Sequence, residues 1–138
     1  MSATRSELAA GLLALLVVAP AQAQPARFDW LSRIDAELPA IEACAHAVGE
    51  GPVGVSALRA EGPERRLILR DAASSVWNCT FRDGRAAAMP EPDPVGVRHR
   101  RPVFWLARFG EPWAECWDAE PVRRADGRLA GWFVVQTC

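Results

Sequence analysis

The longest uninterrupted apolar run in the chain, Leu8 to Ala19, stands at its start. Arg5 precedes the run, Pro20 ends it, and Ala21-Gln22-Ala23 sets small residues two apart just beyond it. That order is the layout of a secretory signal peptide, with cleavage expected after Ala23. The run falls short of the ~20 apolar residues that span a bilayer as a helix, so no stable membrane anchor is expected once the leader is removed. The chain therefore divides into a signal peptide over residues 1–23 and a single domain over residues 24–138.

Past the leader the hydrophobic period changes twice. From Phe28 to Val48, Leu31, Ile34, Leu38, Ile41, Ala45 and Val48 recur at three- and four-residue spacing, which predicts a helical segment with one apolar face. Pro39 lies inside it, so either two short helices or one kinked helix is expected. Gly49 and Gly51-Pro52 end the segment. Strand-like stretches follow: Val53 to Arg59, Arg66 to Arg70, Ser75 to Arg82, a short strand through Met89, Pro102 to Phe109, Glu120 to Arg124 and Ala130 to Gln136. Turn residues separate them: Glu61-Gly62-Pro63-Glu64 reads as a turn, and Asp83-Gly84 and Asp126-Gly127 are hairpin signals. Pro121 cannot donate to a ladder, which predicts an edge strand or a bulge there. The expected fold is α+β: an N-terminal helical segment packed on one face of a mostly antiparallel sheet of five to seven strands.

Cys44, Cys79, Cys116 and Cys138 all follow the leader. In an exported chain they predict two disulfides. Around the Asp126-Gly127 turn, paired residues should sum to about 253 within a residue or two. Cys116 and Cys138 meet that condition and are expected to bridge the open end of the hairpin. Cys44 lies on the apolar helix face, and Cys79 shares a strand face with Trp77 and Phe81, so a Cys44–Cys79 bridge would pin helix to sheet. No Cys-x-x-Cys pair is present, which removes the thioredoxin motif. Cys44 and His46 stand two apart, a spacing that does not face both side chains to one metal on a helix, so no metal site is expected.

Composition narrows the setting more than the function. All 16 basic residues are Arg, Tyr is absent, and the net charge is −1. The bias suggests a GC-rich bacterial genome, hence a periplasmic or secreted address. Near-neutrality argues against a nucleic-acid binder, and the absence of Lys removes Schiff-base chemistry. No phosphate loop, dinucleotide fingerprint or nucleophile elbow is present, and no cofactor is expected.

The chain carries six Trp. Trp77 and Trp132 share strand faces with core positions, whereas Trp113 and Trp117 are the expected exposed pair and a candidate binding patch. Arg98, His99, Arg100 and Arg101 form the densest basic cluster and a second, weaker binding candidate, since Arg forks grip carboxylates and phosphates. No catalytic residue is assigned. The favoured reading is a small exported, non-catalytic binding protein whose partner is an envelope protein or a glycan. The alternatives are a small secreted hydrolase using carboxylates or His99 as acid and base, and a structural component of the envelope.

Overall fold

In a computed structural model of the protein, residues 26–92, 103–112 and 115–136 are described. A 3-10 segment, Ala26–Arg33, runs directly into one α-helix, α1 (Ile34–Val48). Seven strands follow: β1 (Val53–Glu61), β2 (Glu64–Asp71), β3 (Val76–Arg82), β4 (Arg85–Pro90), β5 (Val103–Leu106), β6 (Trp117–Arg123) and β7 (Leu129–Gln136). They form one sheet in the order β4-β3-β2-β1-β5-β7-β6, with every neighbouring pair antiparallel. This is the expected α+β arrangement, one helical segment on an antiparallel sheet.

The change in helix type falls at Arg33, not at Pro39. The α-helix continues through Pro39, which faces solvent. Its missing N–H deprives only the Asp35 carbonyl of a donor, and Asp35 is itself exposed, so water can take that place. Helix and sheet meet over a core of Trp30, Ile34, Leu38, Ile41, Val55, Leu67, Leu69 and Phe104, all buried. Trp30 packs edge-on to Phe104 and Phe28 edge-on to Phe133, which seats the 3-10 segment over β5 and β7. The helix lies closest to β4.

Turn chemistry closes the hairpins. Asp83 (φ 53°) and Gly84 (φ 77°) both adopt positive φ in the two-residue β3–β4 turn, the mirror-image geometry that matches strand twist. The β6–β7 connection is wider: the ladder ends at Arg123↔Leu129, and Asp126 accepts the Arg128 backbone N–H at 2.9 Å. Strand β6 is an edge strand, the place in a sheet where a proline such as Pro121 is tolerated.

The Cys44–Cys79 disulfide is present, joining residues 35 apart in sequence and buried at both ends. It is the one bridge described in full, against the two expected. Cys116 is also disulfide-bonded, whereas Cys138 lies outside the described residues. The observed register sums to 253 from Trp117↔Gln136 to Val122↔Gly131. Cys116, with φ of 67°, leaves the ladder just before its first pair.

The strand β1 carries the one feature of the sheet that the alternation hides. Its register slips between Val55 and Ala57, leaving Ser56 as a bulge. Val53 and Val55 face the helix, and so does Leu58, three positions on. An alternating strand cannot put both Val55 and Leu58 inside, and the extra residue reconciles them.

Candidate functional site

The bulge also decides what the other face of the sheet presents. Beyond it, Ala57, Ile68, Asn78 and Met89 stand opposite one another on four successive strands. The next row, Arg59, Arg66, Thr80 and Ala87, runs beside it. These rows face away from α1, because their chain neighbours Leu58, Leu67, Cys79 and Ala88 face the helix. All residues of the two rows except Ala87 line a groove of about 690 Å³ whose floor is Ala57 and Ile68. Met89, 60% exposed, forms one wall. Asn78 and Thr80 supply its amide and hydroxyl.

The electrostatics of the groove are local. Arg59 pairs with Glu61 at 3.4 Å, and Arg66 pairs with Glu61 at 3.4 Å and Glu64 at 3.3 Å. The two guanidinium groups are thus matched by two carboxylates, and the rim carries no net charge from these four. The Asn78 amide donates to Glu91 Oε2 at 2.8 Å, which fixes the amide's orientation at the groove's far end. Behind the floor, Arg65 and Glu37 hold the sheet to the helix: Arg65 Nε donates to Glu37 Oε1 at 2.8 Å, and Arg33 reaches the other carboxylate oxygen at 3.9 Å. Glu37 is 1% exposed, the one acidic side chain among the buried described residues.

A second ordered polar centre stands at the β2–β3 corner. Asp71 accepts the backbone N–H groups of Ala73 (3.0 Å) and Ser75 (2.9 Å) and the Trp77 indole N–H (3.0 Å). Burial alone would raise its pKa, but the three donated hydrogen bonds outweigh burial and hold the carboxyl below its ordinary value. This carboxylate is fully engaged in shaping the loop.

The far half of the same face differs. Trp105 and Trp132 stand opposite each other on β5 and β7, with Gly54 on β1 beside Trp105. The Trp105 ring lies so close over Gly54 that a Cβ there would sit 3.2 Å from it. Val103 and Val134, in the adjoining row, are buried. Trp132 is half-buried and lies away from the helix, so it belongs to this second apolar layer and not, as its alternation with Val134 suggested, to the helix-side core.

The residues singled out by sequence fare unequally. Trp117 is 39% exposed on edge strand β6, at the opposite end of the sheet from the groove. Trp113, Arg98, His99, Arg100 and Arg101 lie outside the described residues. Cys44 is committed to its disulfide and His46 is exposed, so the Cys44/His46 pair does not form a ligand set. Among the described residues no three His, Cys, Asp or Glu side chains gather as a metal-binding group. The groove residues Ile68, Asn78 and Met89 were missed by motif reading. An apolar Ile at a position alternating with Leu67 and Leu69 was the available signal, since Leu67, Ile68 and Leu69 in a row predict a strand with apolar side chains on both faces. In comparison with known proteins, the chain matches no known family, no curated protein and no solved structure.

Proposed function

We propose that this is an exported, non-catalytic binding module that takes a polypeptide segment on the face of its sheet opposite the helix. The observation that carries the reading is the groove over β1–β4: an apolar floor at Ala57 and Ile68, an oriented amide at Asn78, and a rim whose charges neutralise one another. Such a surface favours apolar side chains with a few polar contacts. A glycan would call for exposed aromatic faces. Among the described residues the groove lining contains no aromatic side chain, and the exposed Trp117 is at the other edge. The partner is accordingly an envelope protein in preference to a glycan.

Export rests on the leader-like residues 1–23, on the disulfide, and on cleavage near Ala23 giving a domain of residues 24–138. The Cys44–Cys79 bridge is compatible with an oxidising compartment. Among the described residues no helix is long and apolar enough to cross a membrane. We propose Cys138 as the partner of Cys116. Cys116 is disulfide-bonded, and the numbers of Cys116 and Cys138 sum to within one of the 253 that the β6–β7 ladder keeps from Trp117↔Gln136 to Val122↔Gly131. Non-reducing peptide mapping should return a Cys116–Cys138 peptide beside Cys44–Cys79.

Affinity capture from the envelope fraction tests the binding reading. Ile68→Asp places a charge on the groove floor without touching the helix-side core. It should release the proteins retained by the wild type, while Trp117→Ala keeps them. Equal capture by wild type and Ile68→Asp, at equal melting temperature, would remove the groove as the binding site.

A further inference from the structure

The two edges of the sheet are built differently. Edge strand β6 reads Trp-Asp-Ala-Glu-Pro-Val-Arg, and its charges and proline are the usual guards against strand addition. Edge strand β4 reads Arg-Ala-Ala-Ala-Met-Pro, with no charge between Arg85 and Pro90. The backbone groups that it leaves unpaired among the described residues can be assigned. Glu91 N–H donates to the Val76 carbonyl at 2.9 Å, so by antiparallel alternation Met89, Ala87 and Arg85 also bond inward to β3. Ala86 and Ala88 therefore direct their N–H and C=O outward, and Pro90 its C=O. The helix packs most against this strand, and one of its flanks carries Ala36, Ala40, Ala43 and Ala47 at helical spacing, with Ala40 buried and the other three exposed or half-exposed.

We propose that β4 is a homodimer edge, pairing antiparallel with β4 of a second copy about a two-fold axis at Ala88. The outward groups restrict the register. Two-fold pairing must set an outward residue opposite an outward residue, and because Pro90 has no N–H to give, a register that pairs N–H donors on both strands leaves Ala86 against Ala86, Ala86 against Ala88, or Ala88 against Ala88. Charge selects among them. Arg85 is exposed and has no carboxylate partner among the described residues, and Glu91, whose Oε2 accepts the Asn78 amide, stands at the other end of the strand. Only the register centred on Ala88 sets Arg85 opposite Glu91 of the second copy, twice by symmetry. The register of Ala86 on Ala88 sets Glu91 against Asp83, a like-charge contact, and that of Ala86 on Ala86 leaves Arg85 facing Ala87. In the selected register Ala88 exchanges two backbone hydrogen bonds with its copy, and each Ala86 N–H donates to a Pro90 carbonyl. Both helices then lie on the same side of a continuous sheet, where alanine flanks let them approach.

The contact is small. A six-residue strand is ~20 Å long, and the sheet with the helix layer above it is ~20 Å deep, so the face is on the order of 400 Å² per copy, about half that of a standard interface. A reversible dimer follows, distinct from the groove reading because it needs no other protein.

Sedimentation equilibrium of the oxidised protein, from about 1 µM to 1 mM, reads the association directly; that span covers about 4 kcal/mol of affinity. The wild type should shift from monomer to dimer across it, with the midpoint rising in high salt. Arg85→Glu and Glu91→Arg should each raise the dissociation constant at least tenfold, and the double variant Arg85→Glu/Glu91→Arg should restore it. Arg85 touches no described partner, so the melting temperature of Arg85→Glu should stay at the wild-type value. A monomer throughout the range, or a dimer indifferent to Arg85→Glu, would overturn the proposal.

Discussion

Replacing both Cys44 and Cys79 with Ala should cost the protein about 4 kcal/mol of stability. The bridge spans 35 residues, and the loop-closure relation for a ring of that size removes about 13 cal/mol/K from the unfolded chain, or ~3.8 kcal/mol at room temperature. Both cysteines are buried at the helix–sheet junction, so losing the two sulfur atoms opens a small void that adds to the loss. Alanine is the right replacement, because serine would bury a hydroxyl among apolar side chains. A small domain holds only ~5–15 kcal/mol in all. The change should therefore lower the urea midpoint by about 2–3 M at an m-value of ~1.5 kcal/mol/M. Tryptophan fluorescence follows the transition, since Trp77 flanks Cys79 and Trp30 lies in the same core. The double variant leaves Cys116 untouched, which reduction with a thiol would not. A loss below about 1 kcal/mol would refute the reasoning: the α1–β3 junction would then be held by packing alone, with the unfolded chain already compact around the bridge.

Three further outcomes follow from the same geometry. Arg65→Ala should destabilise more than Glu37→Gln, by roughly 3 kcal/mol against 1–2 in urea titration, because the first strands a carboxylate that is 2% exposed and the second frees a guanidinium that is 25% exposed and can turn to water. Asp71 has its carboxyl pKa depressed in the folded state, so its contribution is complete above the unfolded value near 3.9 and disappears as pH falls through the lower folded value. Urea midpoints measured from pH 5 down to pH 2 should therefore fall less steeply for Asp71→Asn than for the wild type. Gly131→Ala should cost about 3 kcal/mol or block folding, since its Cβ would meet the Trp105 carbonyl oxygen and the Phe104 ring, and a backbone carbonyl in the sheet cannot give way; circular dichroism melting reads the loss.

Much of this architecture was legible along the chain because it is encoded between near neighbours. The three- and four-residue spacing from Leu31 to Val48 marks the helical segment. The Asp83-Gly84 pair supplies the two positive φ values that its turn requires. The alternation of Trp77, Cys79 and Phe81 places Cys79 under the helix, and Pro121 marks an edge. Each of these depends on residues a few positions apart, where sterics and periodicity act without reference to the rest of the molecule.

What the tertiary structure alone decided involves residues brought together from a distance. That β5 pairs with β1, so that Trp105 closes over Gly54, has no local signature. Glu37 reads as a polar residue on a helix, yet it is buried, because Arg65 from β2 arrives to neutralise it. The bulge at Ser56 exists because the helix needs both Val55 and Leu58 beneath it, and that slip turns Ala57 outward beside Ile68, Asn78 and Met89. The groove is a consequence of packing on the opposite side of the sheet. Strand sequence limits which side chains share a face, but only strand order and register decide which faces become a surface, and those are settled by burial shared among the whole set of strands.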